Sequence, residues 1–277
     1  MRSEHLLGLI LALSTVTLAA CSSAPGEPEP TATGGSQALA TKSPALGGPA
    51  FVTVTAGTIS GYEVSPVNAR LAATTHVARL DFSRSGLDAE ATAALGSAPP
   101  GEVLLEGSVA ASTLFVTAAY RGLPGVTYAA DATFYQAGGA VAQAVNEAVT
   151  RPFTSVDVSA AAKPYVQRSW LVDEVANRNA VVAGHVTDAT RTLAAQQIFL
   201  ALPYAGGRCL KAEALCPSGE SQTFTRDHDL CAHPAGCAPR SVCPIAVPYC
   251  ADGYTLESWA AAPDACPAYA CDPSFVH

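Results

Sequence analysis

Hydrophobic and polar positions along the chain fall into four successive patterns. Leu6 to Leu18 is one short apolar run behind a polar start. Its length suits the core of an export signal and is short for a bilayer-spanning helix, which needs roughly 20 apolar residues. From Ser22 to Pro49 the periodicity vanishes, and Ser22, Ser23, Pro25, Gly26, Pro28, Pro30, Gly34, Gly35 and Pro44 dominate. Such a stretch buries too little apolar surface to offset its ordering entropy, which predicts a flexible tether over 21–49. From residue 51 to about 205, strand-like and helix-like patterns alternate. The last pattern, 206–277, is turn-rich and dense in cysteine.

In the third pattern, Val103–Val109, Leu114–Tyr120, Val181–Val186 and Leu193–Leu200 are rich in β-branched and aromatic residues and read as strands. Leu87, Ala91, Ala94 and Leu95 make a helical stripe, with Ser85 and Asp88 in a capping-box pattern and Gly96 as a stop. A second helix is expected from a Ser159 cap through Val166, Trp170 and Val175, with Pro164 near its start. Val141, Val145, Ala148 and Val149 also have helical spacing, although Pro66 in the matching stretch speaks against it. The matching arises because several strings recur in order. Leu80-Asp81-Phe82-Ser83 parallels Val156-Asp157-Val158-Ser159, Gly107-Ser108-Val109 parallels Gly184-His185-Val186, Asn68 parallels Asn146, and Leu123-Pro124 parallels Leu202-Pro203. These recurrences predict an α+β fold: a tandem duplication of a small α+β unit, 51–128 and 129–205, followed by a disulfide-rich, loop-dominated module at 206–277.

The apolar run ends in Leu18-Ala19-Ala20-Cys21. This string resembles a bacterial lipobox, which implies a lipoprotein signal peptide over 1–20, cleavage before Cys21 and acylation, including palmitate, of that cysteine. Two or three acyl chains anchor a protein durably where one does not. By the same resemblance, Ser22 after the cysteine favours the outer membrane. Residues 51–205, through the Gly61-Tyr62 start, the Asp-hydrophobic-Ser strings, Ala183-Gly184 and the Leu-rich close, resemble a domain-of-unknown-function family of myxobacterial-type predicted lipoproteins. That resemblance implies no activity.

Eight cysteines, Cys209, Cys216, Cys231, Cys237, Cys243, Cys250, Cys266 and Cys271, crowd the final module. An even number in an exported chain points to four disulfides, their pairing open among on the order of a hundred connectivities. Metal binding by Cys231, His233 and His228 is the rival reading, but the paired C-x-x-C spacing of zinc sites is missing. The string Cys243-Pro244-Ile245-Ala246-Val247-Pro248-Tyr249-Cys250-Ala251-Asp252-Gly253-Tyr254-Thr255 resembles the central segment of Kazal-type protease inhibitors, which implies a cysteine-fixed loop able to occupy a protease. Asp252-Gly253 is equally a plain tight turn. Trp259 reads as a small core for the module. Asp227-His228-Asp229 could ligate a cation or form a solvated loop. Asp81 and Asp157 read as repeated caps at which the following helices begin. His76 and His185 sit in strands at non-equivalent repeat positions and read as satisfied or exposed side chains.

Composition narrows the function classes. The 277 residues carry 23 acidic against 15 basic side chains, a formal charge of −8, with 49% hydrophobic residues. That is too acidic for phosphate-neutralising nucleic-acid binding and too apolar for disorder. No nucleophile elbow, H-E-x-x-H pair or phosphate-cradling glycine loop occurs. No catalytic, cofactor-binding or metal residue is assigned. The expectation is an exported, lipid-anchored envelope protein, held to the membrane through Cys21, with a non-catalytic binding or structural role toward an envelope or extracellular protein or glycan. Two alternatives are a Kazal-like inhibitor acting through the terminal module and an extracytoplasmic enzyme with its site between the repeats.

Overall fold

The computed structural model describes residues 48–57, 60–69, 72–204, 209, 215–243 and 246–276. Cys21, the expected signal peptide over 1–20 and most of the expected tether lie outside the described residues. In chain order, β1 (Ala50–Ala56), β2 (Tyr62–Pro66), β3 (Thr75–Val77) and β4 (Arg79–Asp81) lead to helix α1 (Ala89–Gly96) and the long hairpin β5 (Val103–Ala110) and β6 (Thr113–Gly122). There follow β7 (Thr133–Gly138), β8 (Val141–Ala144), β9 (Thr150–Pro152), β10 (Ser155–Asp157), helix α2 (Arg168–Ala176) and a second long hairpin, β11 (Ala180–Thr187) with β12 (Thr192–Leu202).

These strands join in one twelve-stranded sheet, ordered β3-β2-β1-β5-β6-β12-β11-β7-β8-β9. Short β4 lies parallel beside β6, and β10 parallel beside β12. The two hairpins meet antiparallel at the centre, Phe199 opposite Gly122 and Leu202 opposite Ala119. The expected α+β class is therefore wrong. Of the described residues 48% lie in strands and 9% in helices, and 51–205 are not tandem α+β units, because their strands share a single sheet. The physical reason lies in the central strands, which are apolar on both parities. Leu104, Tyr120, Phe134, Val181 and Phe199 bury one face, while Leu105, Val116, Val182, Ile198 and Leu200 bury the other. A sheet buried on both faces must be covered twice, and two short helices cannot do that. The sheet curls on itself instead.

Two asparagines hold the curl. Asn68, just past β2, accepts from Phe134 N–H and donates to the carbonyls of Phe134 and Val145, each at 2.8 Å. Asn146, past β8, accepts from Phe51 N–H at 2.8 Å and donates to the carbonyls of Phe51 at 2.7 Å and Val67 at 2.9 Å. Each reaches from one flank of the sheet into the other, closing it over the cluster around Phe134 and Phe199. The long hairpins bend at Gly107 and Gly184, where the register shifts and a Cβ would run into the carbonyls of Phe115 and Ala194.

Local expectations are corrected at three places. The helical spacing at Val141–Val149 becomes β8, a turn with Asn146 at φ +62°, and β9. The second helix starts at Arg168 rather than at Ser159, because Tyr165 at φ +65°, straight after Pro164, interrupts any helix through that point. Asp81 and Asp157 do not cap helices. Each accepts an N–H two residues on, from Ser83 and Ser159, at 2.9 Å, closing a turn at the strand end. Hydrogen bonding by the Ser83 and Ser159 side chains, then by those N–H groups, holds both carboxyls below their ordinary range. The cap of α1 is Asp88, which accepts Ala91 N–H at 2.8 Å.

The cysteine-rich segment is a sheet rather than a loop-dominated module. β13 (Glu220–Arg226), β14 (Ala232–Pro239), β15 (Tyr254–Ala261) and β16 (Cys266–Pro273) pair in the order β14-β13-β15-β16. The module is docked on the larger sheet. Leu230, Cys271 and Val276 enter the same core cluster as Trp170, Cys271 N–H donates to Tyr165 C=O at 3.0 Å, and Gly253 sits against Pro124, where a Cβ would collide with the ring.

Candidate functional site

The eight cysteines close four disulfides: Cys209–Cys231, Cys216–Cys237, Cys243–Cys266 and Cys250–Cys271. In each half of the module, two cysteines from the coil ahead of a hairpin are stapled to its second strand or the residue that opens it. Closing loops of 21 to 23 residues restricts the unfolded chain, a contribution of roughly 3 kcal/mol per bridge. Four such bridges are those of a protein that matures outside the reducing cytosol. They also remove Cys231 from any metal site.

Between the second pair of bridges the chain presents an exposed coil. Residues 246–251 have no regular secondary structure, and Val247 and Tyr249 are 61% and 86% exposed, with Val242 wholly exposed just before Cys243. One end is pinned to β16 by Cys243–Cys266 and the other by Cys250–Cys271. Asp252-Gly253 turns directly afterwards, Gly253 at φ +84°, and Gly253 C=O accepts from the N–H and hydroxyl of Ser274 at 2.9 and 2.6 Å. Apolar side chains held out on a braced coil give a partner contact area whose ordering entropy is already spent.

The hairpin from β13 to β14 gathers a charge cluster. Asp227, Asp229 and His233 bring their ligand atoms within 4.8 Å of one another. His233 Nε2 lies 3.3 Å from Asp227 Oδ1 and 3.2 Å from Asp229. Hydrogen bonding to Asp229 and the charge of both carboxylates push the His233 imidazole up. The Asp229 carboxyl is held down to about 2 by a hydrogen bond shared with Asp227, helped by Cys231 N–H and by His233. The sequence motif Asp227-His228-Asp229 thus supplied two of the three members. The third is His233, brought across by the turn at Leu230 (φ +62°). All three are at or near the surface and already satisfy one another, so the cluster reads as a solvated ion pair.

No family model matches the chain, and no solved structure matches it. An uncharacterized protein of Dictyostelium discoideum is 35% identical over 81 residues, and the match spans 28% of this chain and 28% of that protein. The likeness is local and brings no activity with it.

A cavity of about 460 Å³ lies where the two flanks of the curled sheet meet, lined by Val67, Asn68, Tyr128 and Phe134 with Asp131 and Glu147 exposed at its edge. The enzyme alternative places its site here, between the two stretches. Its lining holds no histidine, cysteine or lysine among the described residues, and its two carboxylates, Asp131 and Glu147, face solvent. Elsewhere His76 pairs with Glu63 at 3.1 Å on the surface and His185 is exposed. A buried polar group that the sequence did not signal is Trp170–Tyr204–Glu174. Trp170 Nε1 donates to Tyr204 at 2.8 Å and to Glu174 at 3.2 Å, and Tyr204 donates to Glu174 at 3.1 Å. Burial, then the Glu174 charge, push the Tyr204 phenol up, so it serves as a neutral donor. It ties α2 to the end of β12.

Proposed function

We propose that the chain is an exported, non-catalytic binding protein, held on a membrane by lipid on Cys21, that engages a protein partner outside the cytoplasm through the braced coil at Val247 and Tyr249, with Val242 beside it. The observation that supports this most is the coil itself: large apolar side chains left exposed on a segment that two disulfides fix at both ends. Natural surfaces scatter single apolar residues, whereas Val247 and Tyr249 together on one braced segment, with Val242 next to it, favour an interaction site. The lipobox string ending at Cys21 and its Pro/Gly-rich sequel support the anchoring, with the outer membrane favoured by Ser22.

A photo-crosslinking amino acid at position 247 in the full chain, expressed in its envelope, tests the reading. One adduct of defined mass is expected, absent when Tyr249 is replaced by Ser and absent when the crosslinker is at exposed Ala160. No adduct from 247, or the same adducts from 160, overturns it. The mature N-terminus is tested separately by mass, which should show an acylated Cys21 and no free thiol there.

The second reading is that the partner is a serine protease and the coil an inhibitory loop, favoured by the resemblance of 243–255 to Kazal-type segments and by the exposed Val247-Pro248-Tyr249 between two bridges. It predicts stoichiometric inhibition of at least one protease in a panel, lost on reduction. Rapid cleavage of the coil by every enzyme tested removes it.

A further inference from the structure

We infer that the cavity beneath α1 is a binding site for a small, uncharged, largely apolar molecule. The space is about 370 Å³, between α1 and the face of the sheet formed by β1, β4 and β5. Leu95 of α1 and Leu105 of β5, both buried, line its inner side, with Val54, Leu80, Phe82 and Val103 around them. It exists for a reason visible in the two helices. α2 sends Trp170, Leu171 and Val175 into its core, all fully buried. α1 reads Ala-Glu-Ala-Thr-Ala-Ala-Leu-Gly and buries Leu95 alone. A helix of small residues held over an apolar sheet leaves a gap that its own side chains cannot fill.

The lining decides the chemistry of the occupant. None of the lining residues is charged, in a chain with 38 acidic and basic side chains. The rim, with Thr55, Tyr62, Pro99 and Pro100, is open to solvent, but a charged group pressed against the buried apolar side would give up part of its hydration without gaining a counter-charge. Hydroxyls come from Thr55, Tyr62 and Thr92 alone, and Thr92 already gives its proton to Asp88 C=O at 2.8 Å. One hydroxyl, ether or carbonyl on the ligand can therefore be met, and no more than a few. The volume sits at the lower end of the ~300–1,000 Å³ typical of ligand pockets. At roughly 30 Å³ per water-sized group it takes about a dozen non-hydrogen atoms. The inference stands on the cavity and not on the braced coil, so either can fail without the other.

The test uses the intact, disulfide-bonded chain and two probes of equal chain length, 1-octanol and octanoate, followed by ligand-observed NMR at pH 7. Saturable binding of 1-octanol is expected, at least tenfold tighter than that of octanoate. Thr92→Phe places a ring in the cavity and should weaken octanol binding tenfold or more; Ala98→Phe fills the same space from the other wall and serves if the first variant does not fold. Val247→Ser with Tyr249→Ser removes the exposed apolar residues of the coil and should leave octanol binding unchanged. The inference is overturned if octanol fails to saturate, if octanoate binds equally well, if binding survives both filling variants, or if it disappears in the coil variant.

Discussion

Asn146 makes three hydrogen bonds from a backbone conformation, φ +62°, that few side chains tolerate. Asparagine suits that conformation and also has the donor and the acceptor that the opposite flank requires. Asn146→Ala loses all three bonds and strains the turn, and is expected to cost about 2–4 kcal/mol in chemical unfolding. Asn146→Gly loses the bonds but relaxes the strain, so it should be about 1 kcal/mol more stable than the alanine variant. Equal stabilities would mean that the conformation contributes nothing. The His233 cluster makes a second prediction at this scale. The imidazole is raised above 6.5, so its contribution to stability is fully present below that pH and is lost as pH rises through the higher folded value. The Asp229 carboxyl is lowered from 3.8 to about 2, so its contribution is present above 3.8 and is lost as pH falls toward 2. An NMR titration of the His233 ring should show a midpoint above 6.5 that returns toward 6.5 in Asp229→Asn. A midpoint at or below 6.5 in the parent chain refutes the ion pair.

Among the elements, the two helices are unequal. Trp170 of α2 is wholly buried and donates to both Tyr204 and Glu174, so Trp170→Ala opens a cavity and strips a buried carboxylate and phenol of a donor. A loss of about 3–5 kcal/mol is expected. Asp88→Ala removes only the N-cap of α1 and should cost about 1 kcal/mol. Thermal unfolding of the two variants checks the order, and a costlier Asp88→Ala would reverse the assignment. The same elements show what the sequence could and could not disclose. The strands of the two long hairpins were legible because β-branched and aromatic runs with Gly107 and Gly184 form a local signal. Their union at Phe199 and Gly122 was not, because pairing between residues so far apart in sequence leaves no trace in any window. The helix expected from Ser159 was misplaced because apolar spacing at Val166 and Trp170 says nothing of the left-handed turn at Tyr165. The recurring Asn68 and Asn146 were visible as residues, but their reach across the curled sheet was not. In the candidate site, the cysteines announced disulfides without their pairing, and the exposure of Val247 and Tyr249 depended on which surface the docked module leaves open.

At the scale of the whole molecule, the question is whether the stapled module is an appendage or part of one cooperative structure. Its inner side is held by Arg226, which pairs with Asp272, donates from Nε to Leu230 C=O at 2.8 Å and lies 5.3 Å over the Trp259 ring. Both charged side chains are almost wholly buried, at 3% and 1% exposure. Removing one member of such a pair strands the other, and Asp272→Ala is expected to cost about 3–5 kcal/mol. Leu230, Cys271 and Val276 then pack in the cluster of Trp170, Leu171 and Ile198, so a disturbance of the module must reach the large sheet. The chain contains two tryptophans, one on each side of this contact. In a Trp259→Phe background, Trp170 emission reports the large sheet alone. Replacing Cys250 and Cys271 together by serine removes a bridge whose second sulfur lies in that shared cluster, a loss of roughly 2–4 kcal/mol. If the two parts unfold as one, the Trp170 transition moves to lower denaturant by that amount and keeps its slope. If Trp170 is unmoved while the module loosens, the shared core transmits nothing and the module is merely attached. The continuity of the apolar cluster from Trp170 to Cys271 favours the first outcome, because close-packed interiors do not accommodate a lost neighbour without a cost to the residues around it.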